Sequence, residues 1–400
     1  LNVGDLKPME YPIQLFLDMA WNPEAYADPK SLMEHAEQFC NGIFGNNEQA
    51  LKAGFAKQAA DYLTRYTKIN GRVTPEMLTA RTYNLEVGEW AKVVNEYKAL
   101  ESEAWTTKRA MENMELGYMS YWSYNQLILY PIVSMCNLYQ MYYAQACGNQ
   151  EKVNSHFERD KSLTNWYHSW NNNKWNHMMD QTHIGYRSWQ EPRENTCPQV
   201  EDLNRQRGPQ VHNKSNLIGA YVSFESDQYS ATTQGGEGQW LTIPNYGRTH
   251  SGVCYWPYTA STEGASITYT FETPAEWAHL LPHLAGNAAA KIKVHVVTNS
   301  TLPFLRREGH RYTVSLDGGD PVEVNYNGDL TEDNQWHMYD VVATRVIEKV
   351  VELPLNANSN GTLHTITIRP LDPGMVLENV VVDFGGYQRQ HLFGSKAVLQ

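Results

Sequence analysis

The sequence predicts a multidomain α + β protein, and three observations support this fold class. The first half of the chain has apolar residues at helical spacing, and the second half has short runs with strand alternation. An irregular segment, rich in polar and aromatic residues, separates the two halves. The length of 400 residues, with 42% hydrophobic content, suffices for two or three domains with cores of their own.

In the first half, each helix is predicted from an apolar face and from the residues that begin or end it. Asp28-Pro29 is typical of an N-cap and first helical position, and Gly71 and Gly148 are typical of helix ends. Pro131 should kink or restart a central helix that is apolar nearly all round. Helices are predicted over residues 12–21, from 28 onward with Leu32, Met33, Ala36 and Phe39 on one face, and over 48–70, 88–114, 121–147 and 151–169. Short connections between them favour an antiparallel bundle.

The second half follows a linker that starts past Pro192 and includes Gly208-Pro209. Strands are predicted over residues 220–224, 239–243, 266–271, 291–297, 312–316, 321–325, 344–353, 363–369 and 377–384. Asp317-Gly318-Gly319 predicts a hairpin turn. Many short strands at this spacing indicate an antiparallel sandwich of the jelly-roll or immunoglobulin-like kind.

Charge and composition exclude several classes of partner. The formal net charge of -12 argues against nucleic-acid binding, and no apolar run is long enough to span a membrane. The five cysteines form neither a disulfide framework nor a zinc pattern, so we expect buried free thiols. The N-terminus lacks the pattern of a signal peptide and does not begin with Met. We expect a fragment of a longer protein whose export signal lies upstream.

Two places near the helical half could carry chemistry. Asp5, Lys7 and Glu10 follow a predicted strand at residues 1–4; if that strand ends a (β/α) barrel, they could contact a charged sugar. The alternative is a solvated loop that caps the next helix. The second place is the irregular segment at residues 171–190, here called the joint. Its residues Tyr186, Arg187 and Trp189 offer a stacking surface, a hydroxyl and a guanidinium fork.

The histidines of the joint favour structure over metal binding. His177, Asp180 and His183 match no standard ligand spacing, so hydrogen-bonded packing is the favoured interpretation, and we expect no metal or cofactor. The joint itself is predicted to be either a structural clasp or part of a site. A third place holds clustered aromatic residues around predicted turns, which could stack on sugars or belong to a core. These residues are Trp240, Tyr246, Tyr255, Trp256 and Tyr258.

Several stretches carry a resemblance to a known family. The joint residues 174–186, KWNHMMDQTHIGY, resemble a segment found beyond the catalytic barrel of glycoside hydrolase family 115, the xylan α-glucuronidases. NVGDLKPME at residues 2–10 resembles the family's last barrel strand and its loop. LTRYTK at 63–68 and YNQL at 124–127 with Tyr130-Pro131 resemble its helical domain, and Asp372-Pro373-Gly374 with residues 380–386 resembles its terminal strand.

The resemblance implies an architecture: the end of a (β/α)8 barrel, then an α-helical bundle, then an antiparallel β-sandwich. The implied domains are residues 1–22 for the barrel's last strand, loop and helix, 23–170 for the bundle, 171–208 for the joint and linker, and 209–400 for the sandwich. The implied reaction is hydrolysis of the α-1,2 bond that joins glucuronic acid, or its 4-O-methyl ether, to xylan. It implies inversion, no metal or other cofactor, and a general acid and base upstream of this chain.

Further expectations follow from the resemblance. The chain alone should be inactive. Asp5, Lys7, Glu10, Tyr186, Arg187 and Trp189 are the expected substrate-binding residues, with xylan or glucuronoxylan oligosaccharides as ligands. A homodimer is implied, in which the region beyond the barrel approaches the partner's active site, and location should be periplasmic or extracellular. The alternative is a non-catalytic carbohydrate-binding or structural module.

Overall fold

The computed structural model describes residues 9–28, 30–45, 47–114, 116–186, 192–205, 219–273, 291–330, 341, 344–354 and 362–394. The chain divides into two compact units, Leu1–Gln210 and Val211–Gln400. The described part of the first unit is helical, and the described part of the second consists of antiparallel strands. An α + β protein is therefore confirmed, whereas the strand predicted at residues 1–4 lies outside the described residues.

The first unit contains nine described helices of very different length. They are α1 (Glu10–Trp21), α2 (Lys30–Ile43), α3 (Glu48–Lys52), α4 (Phe55–Gly71), α5 (Glu89–Asn113), α6 (Tyr118–Tyr124), α7 (Tyr130–Ala146), α8 (Gln150–His168) and α9 (Trp170–Asn173). Helix α5 packs against α4 and α7, and α8 packs against α7. Along the described part of the chain, no helix is both long and apolar enough to cross a membrane.

Two details of the predicted helices are wrong. The single helix at residues 48–70 is two helices, because Gly54 lies at φ 75 between α3 and α4 and leaves the helical conformation there. Leu32 and Met33 of α2 are exposed at 41% and 39%, whereas His35, Ala36 and Cys40 face the core. Asp28 does accept a hydrogen bond from Lys30 N at 3.0 Å, as an N-cap does.

The region around Pro131 explains how a proline is accommodated in a buried helical run. A turn of π-helix, Asn125–Leu129, joins α6 to α7, and Pro131 occupies the first turn of α7. Proline lacks an N–H and its ring clashes with the carbonyl four residues earlier, so the wider turn gives it room. The predicted restart at Pro131 is confirmed, and α7 is central, with most of its side chains buried.

The second unit contains two antiparallel sheets. Its strands are β1 (Tyr221–Glu225), β2 (Ala231–Thr233), β3 (Gln239–Pro244), β4 (Ser251–Trp256), β5 (Ser266–Glu272), β6 (Lys291–Asn299), β7 (Arg311–Leu316), β8 (Val322–Asn325), β9 (Val346–Pro354), β10 (Leu363–Pro370) and β11 (Val376–Asp383). One sheet has the order β3-β4-β11-β6-β9, with β1 also paired to β11. The other has the order β2-β5-β10-β7-β8. All nine predicted strands are present, and β2 and β4 were not predicted.

One hydrophobic core contains side chains from both sheets. Val294 and Val380 of the first sheet and Tyr269 and Ile366 of the second belong to it and are fully buried. The hairpin predicted at Asp317-Gly318-Gly319 is confirmed between β7 and β8. Asp317 and Gly318 lie at φ 49 and 66, which is the geometry of a tight hairpin turn.

The five cysteines are free, but they differ in exposure. Cys40, Cys136 and Cys254 are buried, as predicted. Cys147 is exposed and Cys197 is half-buried, so the expectation of buried thiols is wrong for these two. Cys147 follows the last residue of α7 at the surface, where no element covers it among the described residues.

Candidate functional site

The joint begins inside α9, whose last three residues form a left-handed turn. Asn171, Asn172 and Asn173 have φ angles of 51, 56 and 63, and His177 follows with φ 69. Left-handed backbone is costly for most side chains, and asparagine tolerates it best among the non-glycine residues. Three consecutive asparagines are therefore the local signal for the end of the helical run.

Aromatic packing anchors the first part of the joint. Trp175 and Met179 pack against a buried cluster of Tyr130, Tyr167 and Trp170. The rings of Tyr130 and Tyr167 lie 4.7 Å apart, and those of Tyr167 and Trp170 lie 4.8 Å apart. The joint therefore rests on α7 and α8 rather than extending into solvent.

Glu10, one of the predicted site residues, acts on the same aromatic cluster. It is the first residue of α1, where a carboxylate complements the helix dipole, and not part of the preceding loop as predicted. Burial, and then the charge of Glu10, raise the pKa of Tyr167. A carboxylate beside buried tyrosines is a feature that sugar-binding sites and structural polar networks share.

The second part of the joint is held by a buried carboxylate. His183 Nε2 lies 3.1 Å from each oxygen of Asp160, on the buried face of α8, and its Nδ1 lies 2.9 Å from the Gln181 carbonyl. Burial lowers the pKa of His183, but the hydrogen bond and charge of Asp160 outweigh burial and raise that pKa above its ordinary value. Both ring nitrogens face acceptors, so the geometry favours the protonated imidazole.

Hydrogen bonds from the Asn195 side chain and the Thr196 backbone then hold the joint to the segment that follows it. Asn195 Oδ1 accepts from His183 N at 2.7 Å and from Ile184 N at 2.9 Å, and Thr196 N donates to Ile184 O at 3.1 Å. Gly185 lies at φ 99, and a Cβ placed there would come 3.1 Å from Thr196 Cβ. We call residues 182–185 and 195–196, with Asp160, the clasp.

The other histidine–aspartate pair, His177 with Asp180, lies on the surface. His177 Nδ1 lies 2.6 Å from Asp180 Oδ2, but the two side chains are 77% and 54% exposed. His168 Nε2, 3.5 Å from the other oxygen of Asp180, accepts a hydrogen bond from Met179 N at 3.1 Å. Because that nitrogen is an acceptor, His177 rather than His168 holds the Asp180 carboxylate.

The structure describes two of the six predicted substrate-binding residues, Glu10 and Tyr186. Tyr186 is half-buried and follows the clasp directly. Its neighbour Tyr142 is buried, which raises the pKa of Tyr142 to about 12 despite a hydrogen bond from the Gly185 backbone. The other four, Asp5, Lys7, Arg187 and Trp189, lie outside the described residues. In the described ranges, no group of three or more His, Cys, Asp and Glu is arranged to hold a metal ion.

Comparison with known proteins gives matches at both ends of the chain. The family profile Glycosyl hydrolase family 115 matches residues 1–77, and the profile Glycosyl hydrolase family 115 C-terminal domain matches residues 219–396. The chain belongs to glycoside hydrolase family 115. A search of curated proteins finds no match.

A solved structure supports the fold assignment of this family 115 chain. It is described as a novel family GH115 4-O-methyl-α-glucuronidase, BtGH115A, with specificity for decorated arabinogalactans. The TM-score is 0.65 at 18% identity, over 98% of this chain and 46% of that one. The chain therefore spans less than half the length of that relative. At this identity the likeness shows the fold alone.

Two isolated carbohydrate-binding modules also match part of the chain. They are the C-terminal CBM6 of the laminarinase LamC from Zobellia galactanivorans and a family 35 module from Clostridium thermocellum. The first is 10% identical and covers 41% of this chain and 98% of that one, with a TM-score of 0.23. The second is 13% identical and covers 40% and 98%, with a TM-score of 0.26. These scores are too low to establish a shared fold.

The aromatic residues predicted around the turns of the β unit separate into two groups in the family 115 chain. Tyr255 is buried and accepts from Gly235 N at 2.9 Å, and Trp240 donates to Thr233 O at 3.0 Å. These two are packing residues, and Tyr246 is half-buried. Trp256 and Tyr258 are 42% and 49% exposed, and their rings meet edge to face at 5.3 Å. Exposed Phe304 lies 6.2 Å from Tyr258 and extends that surface.

Sequence reasoning missed Asp160 and Asn195, which position the joint. Asp160 carried a usable signal, since it occupies a position between Phe157 and Tyr167 on the otherwise apolar face of α8. A carboxylate at a core-facing position needs a partner, and a histidine in the adjoining irregular segment is a natural one. Asn195 carried no such signal, because its two contacts are to backbone amides.

Proposed function

We propose that this chain is part of a hydrolase that removes glucuronic acid or 4-O-methylglucuronic acid from xylan by hydrolysis of α-1,2 bonds. The observation that carries the proposal is the pair of family 115 profile matches at residues 1–77 and 219–396. The relative of similar fold acts on decorated arabinogalactans, so the acceptor polysaccharide is the part of the proposal that needs the most direct test.

In the proposed arrangement, the chain supplies accessory and dimerisation domains. Residues 1–22 would end a (β/α)8 barrel, 23–170 form a helical bundle, 171–208 the joint and linker, and 209–400 a β-sandwich. The general acid and base would lie on upstream barrel strands. The joint supports this assignment, because Asp180 within it and Asp160 of α8 beside it are each engaged by a histidine. We therefore expect the isolated chain to be inactive.

The first experiment compares the chain alone with a parent protein that includes the upstream region. Release of 4-O-methylglucuronic acid is measured from glucuronoxylan and, in parallel, from decorated arabinogalactan. Activity on glucuronoxylan in the parent alone is the expected result. Activity of the parent only on arabinogalactan would overturn the xylan assignment. Activity in the isolated chain would overturn the upstream position of the acid and base.

We infer that Tyr186 and Arg187, with Trp189, Asp5, Lys7 and Glu10, line a substrate cleft in a homodimer. Tyr186 directly follows the clasp, whose hydrogen bonds hold the backbone, so the Tyr186 side chain would have a defined position in the cleft. In the parent, Tyr186→Ala with Arg187→Ala should lower turnover of glucuronoxylan at least about tenfold while the melting temperature stays unchanged. Asp180→Asn, on the same joint, is the matched control. An equal loss of stability and activity would assign the two residues to the clasp.

The reaction also suggests where the protein works and with what. A glycosidase that acts on a polysaccharide meets its substrate outside the cytoplasm, so we propose a periplasmic or extracellular location and oligosaccharide ligands. Sedimentation of the parent over a range of concentrations tests the homodimer. A monomer with full activity would exclude a cleft formed between two copies.

A second candidate function is a non-catalytic module whose β unit binds carbohydrate. Trp256, Tyr258 and Phe304 favour it, because exposed rings in mutual contact are a surface on which sugar faces stack. Retention of the whole chain on insoluble xylan, abolished by Trp256→Ala with Tyr258→Ala, would support this function. Retention that the double variant leaves unchanged would exclude these rings as its basis.

A further inference from the structure

The helical unit contains an open groove away from the joint. It has a volume of about 330 Å³ and lies between α5, α7 and α8. Its principal side chains are Lys98, Glu101, Trp105 and Arg109 of α5, Gln140 of α7 and Arg159 of α8. The α5 residues follow helical spacing, so they share one face. From Lys98 to Arg109 that face extends about 16 Å, since each helical residue rises about 1.5 Å.

The charge of the groove is opposite to that of the chain. Lys98, Arg109 and Arg159 are cations, and Glu101 is the one carboxylate among the lining residues, whereas the whole chain has a formal net charge of -12. A positive concavity in an acidic protein favours anionic ligands locally while the rest of the surface repels extended polyanions.

Two of the three cations are engaged within the chain, but each keeps N–H groups for a ligand. Arg159 Nη2 lies 3.1 Å from Glu101 Oε1, and Arg109 Nη2 donates to Thr106 Oγ1 at 3.1 Å. Each contact fixes one edge of a planar guanidinium and leaves further N–H groups available. The Lys98 ammonium has no ion-pair partner in the described part of the chain.

The neutral part of the lining favours a sugar acid over a simple anion. Trp105 is half-buried, and its ring is held between Trp166, with 6.0 Å between ring centroids, and the Lys108 ammonium at 5.3 Å, so the exposed part of the ring is a fixed wall. The Glu101 carboxylate and the Gln140 amide oxygen can accept hydroxyl protons, of which a sugar offers several and a simple carboxylate anion none. A sugar carboxylate, sugar hydroxyls and an apolar sugar face together match all three kinds of lining.

We propose that this groove binds a short acidic oligosaccharide, with a uronate carboxylate held by Lys98 and Arg159, a sugar face against Trp105, and sugar oxygens on Arg109 at the other end of the α5 face. The inference rests on the proposed function, because it takes the uronate-bearing polysaccharide as the source of the ligand. The groove is then a secondary binding site that retains the uronate-bearing polysaccharide. It contains none of the residues predicted to line the cleft.

The test is a calorimetric or NMR titration of the whole 400-residue chain. The probes are a xylo-oligosaccharide with one 4-O-methylglucuronate branch, the unbranched oligosaccharide of the same backbone length, and inorganic phosphate. We expect the branched probe to bind most tightly and to bind more weakly as salt is added. Equal affinity for branched and unbranched probes, or tighter binding of phosphate, would overturn the inference.

A pair of matched variants locates the binding. Lys98→Ala with Arg109→Ala should weaken binding of the branched probe at least about fivefold, because two exposed charge contacts are lost. Lys30→Ala with Lys57→Ala removes the same charge from exposed positions on α2 and α4 and should leave the affinity unchanged. Equal effects of the two variants, or none from the first, would show that the ligand does not occupy this groove. Circular dichroism verifies that both variants fold.

The outcomes separate this inference from the proposed function. If the parent hydrolyses glucuronoxylan but the chain does not bind the branched probe, the proposed binding at the groove is excluded and the proposed reaction is kept. If binding depends on Lys98 and Arg109 but the parent does not hydrolyse glucuronoxylan, the proposed binding at the groove is kept and the proposed reaction is excluded.

Discussion

Two histidines of the joint pair with aspartates, one within the joint and one on α8, and the two pairs differ in burial. His177 and Asp180 approach to 2.6 Å, but they are 77% and 54% exposed. His183 lies 3.1 Å from Asp160, whose side chain is only 9% exposed. The shorter contact is the one that water screens, so distance alone misleads as a measure of stabilisation. The carboxylate of the longer contact has little access to water as a substitute partner.

Among the variants that test this comparison, Asp160→Ala should lower the free energy of unfolding most. Asp160→Ala eliminates the hydrogen bond and charge that hold His183. We expect the free energy of unfolding to fall by about 2 kcal/mol, below the roughly 3–5 kcal/mol of fully buried pairs because the His183 ring is partly exposed. Urea unfolding measures the loss, and faster hydrogen exchange at the His183 and Ile184 amides would locate it in the clasp.

Asp160→Asn serves as the control for packing. It keeps the shape and a hydrogen-bonding group but removes the charge, so an intermediate loss is expected. If both variants left the unfolding free energy unchanged, the clasp would not depend on this carboxylate.

Gly185 tests the backbone of the same clasp. At φ 99 a side chain is strained, and the new Cβ would crowd Thr196. Gly185→Ala should therefore destabilise the clasp by about 1–2 kcal/mol. Gly148→Ala, at φ 73 with no atom within 4 Å of its Cβ position, is a control closer in φ for separating the cost of the backbone from that of crowding. A larger loss for Gly185→Ala supports the contact with Thr196, and equal losses would attribute the whole cost to φ.

The raised pKa of His183 makes the buried pair sensitive to pH. A group whose pKa is higher in the folded protein stabilises it fully below its unfolded value, about 6.5, and that contribution is lost as pH rises through the folded pKa. The advantage of wild type over His183→Gln should therefore shrink by no more than about 1 kcal/mol from pH 6 to pH 9. Urea unfolding of both proteins at each pH measures it. An advantage that grows with pH would contradict protonation of His183.

The sequence was sufficient for elements whose residues carry their own pattern. The long α5, the central α7 and the nine predicted strands follow from periodicity and from the residues that bound them. Strands β2 and β4 were not predicted, for different reasons. Ala231–Thr233 is very short, and Ser251–Trp256 is buried along most of its length and shows no alternation.

The joint shows which contacts cannot be predicted from a single sequence. His183 was visible, but its partner Asp160 lies 23 residues earlier on another element, so only the fold brings them together. Spacing excluded a standard metal motif but could not distinguish the buried pair from the exposed one. The groove on α5 was equally hidden, since Arg159 reaches it from α8. Long-range placement, not residue type, is the missing information.

Asp180→Asn should have the smallest effect and completes the comparison of the two pairs. The carboxylate it removes is 54% exposed, and its closest partner is a histidine that is 77% exposed. Exposed pairs contribute roughly 0–1 kcal/mol, so the unfolding free energy should change by less than about 0.5 kcal/mol. Urea unfolding provides the measurement. A loss as large as that of Asp160→Ala would mean that Asp180 maintains the left-handed turn at His177, and burial would then no longer explain the difference between the two pairs.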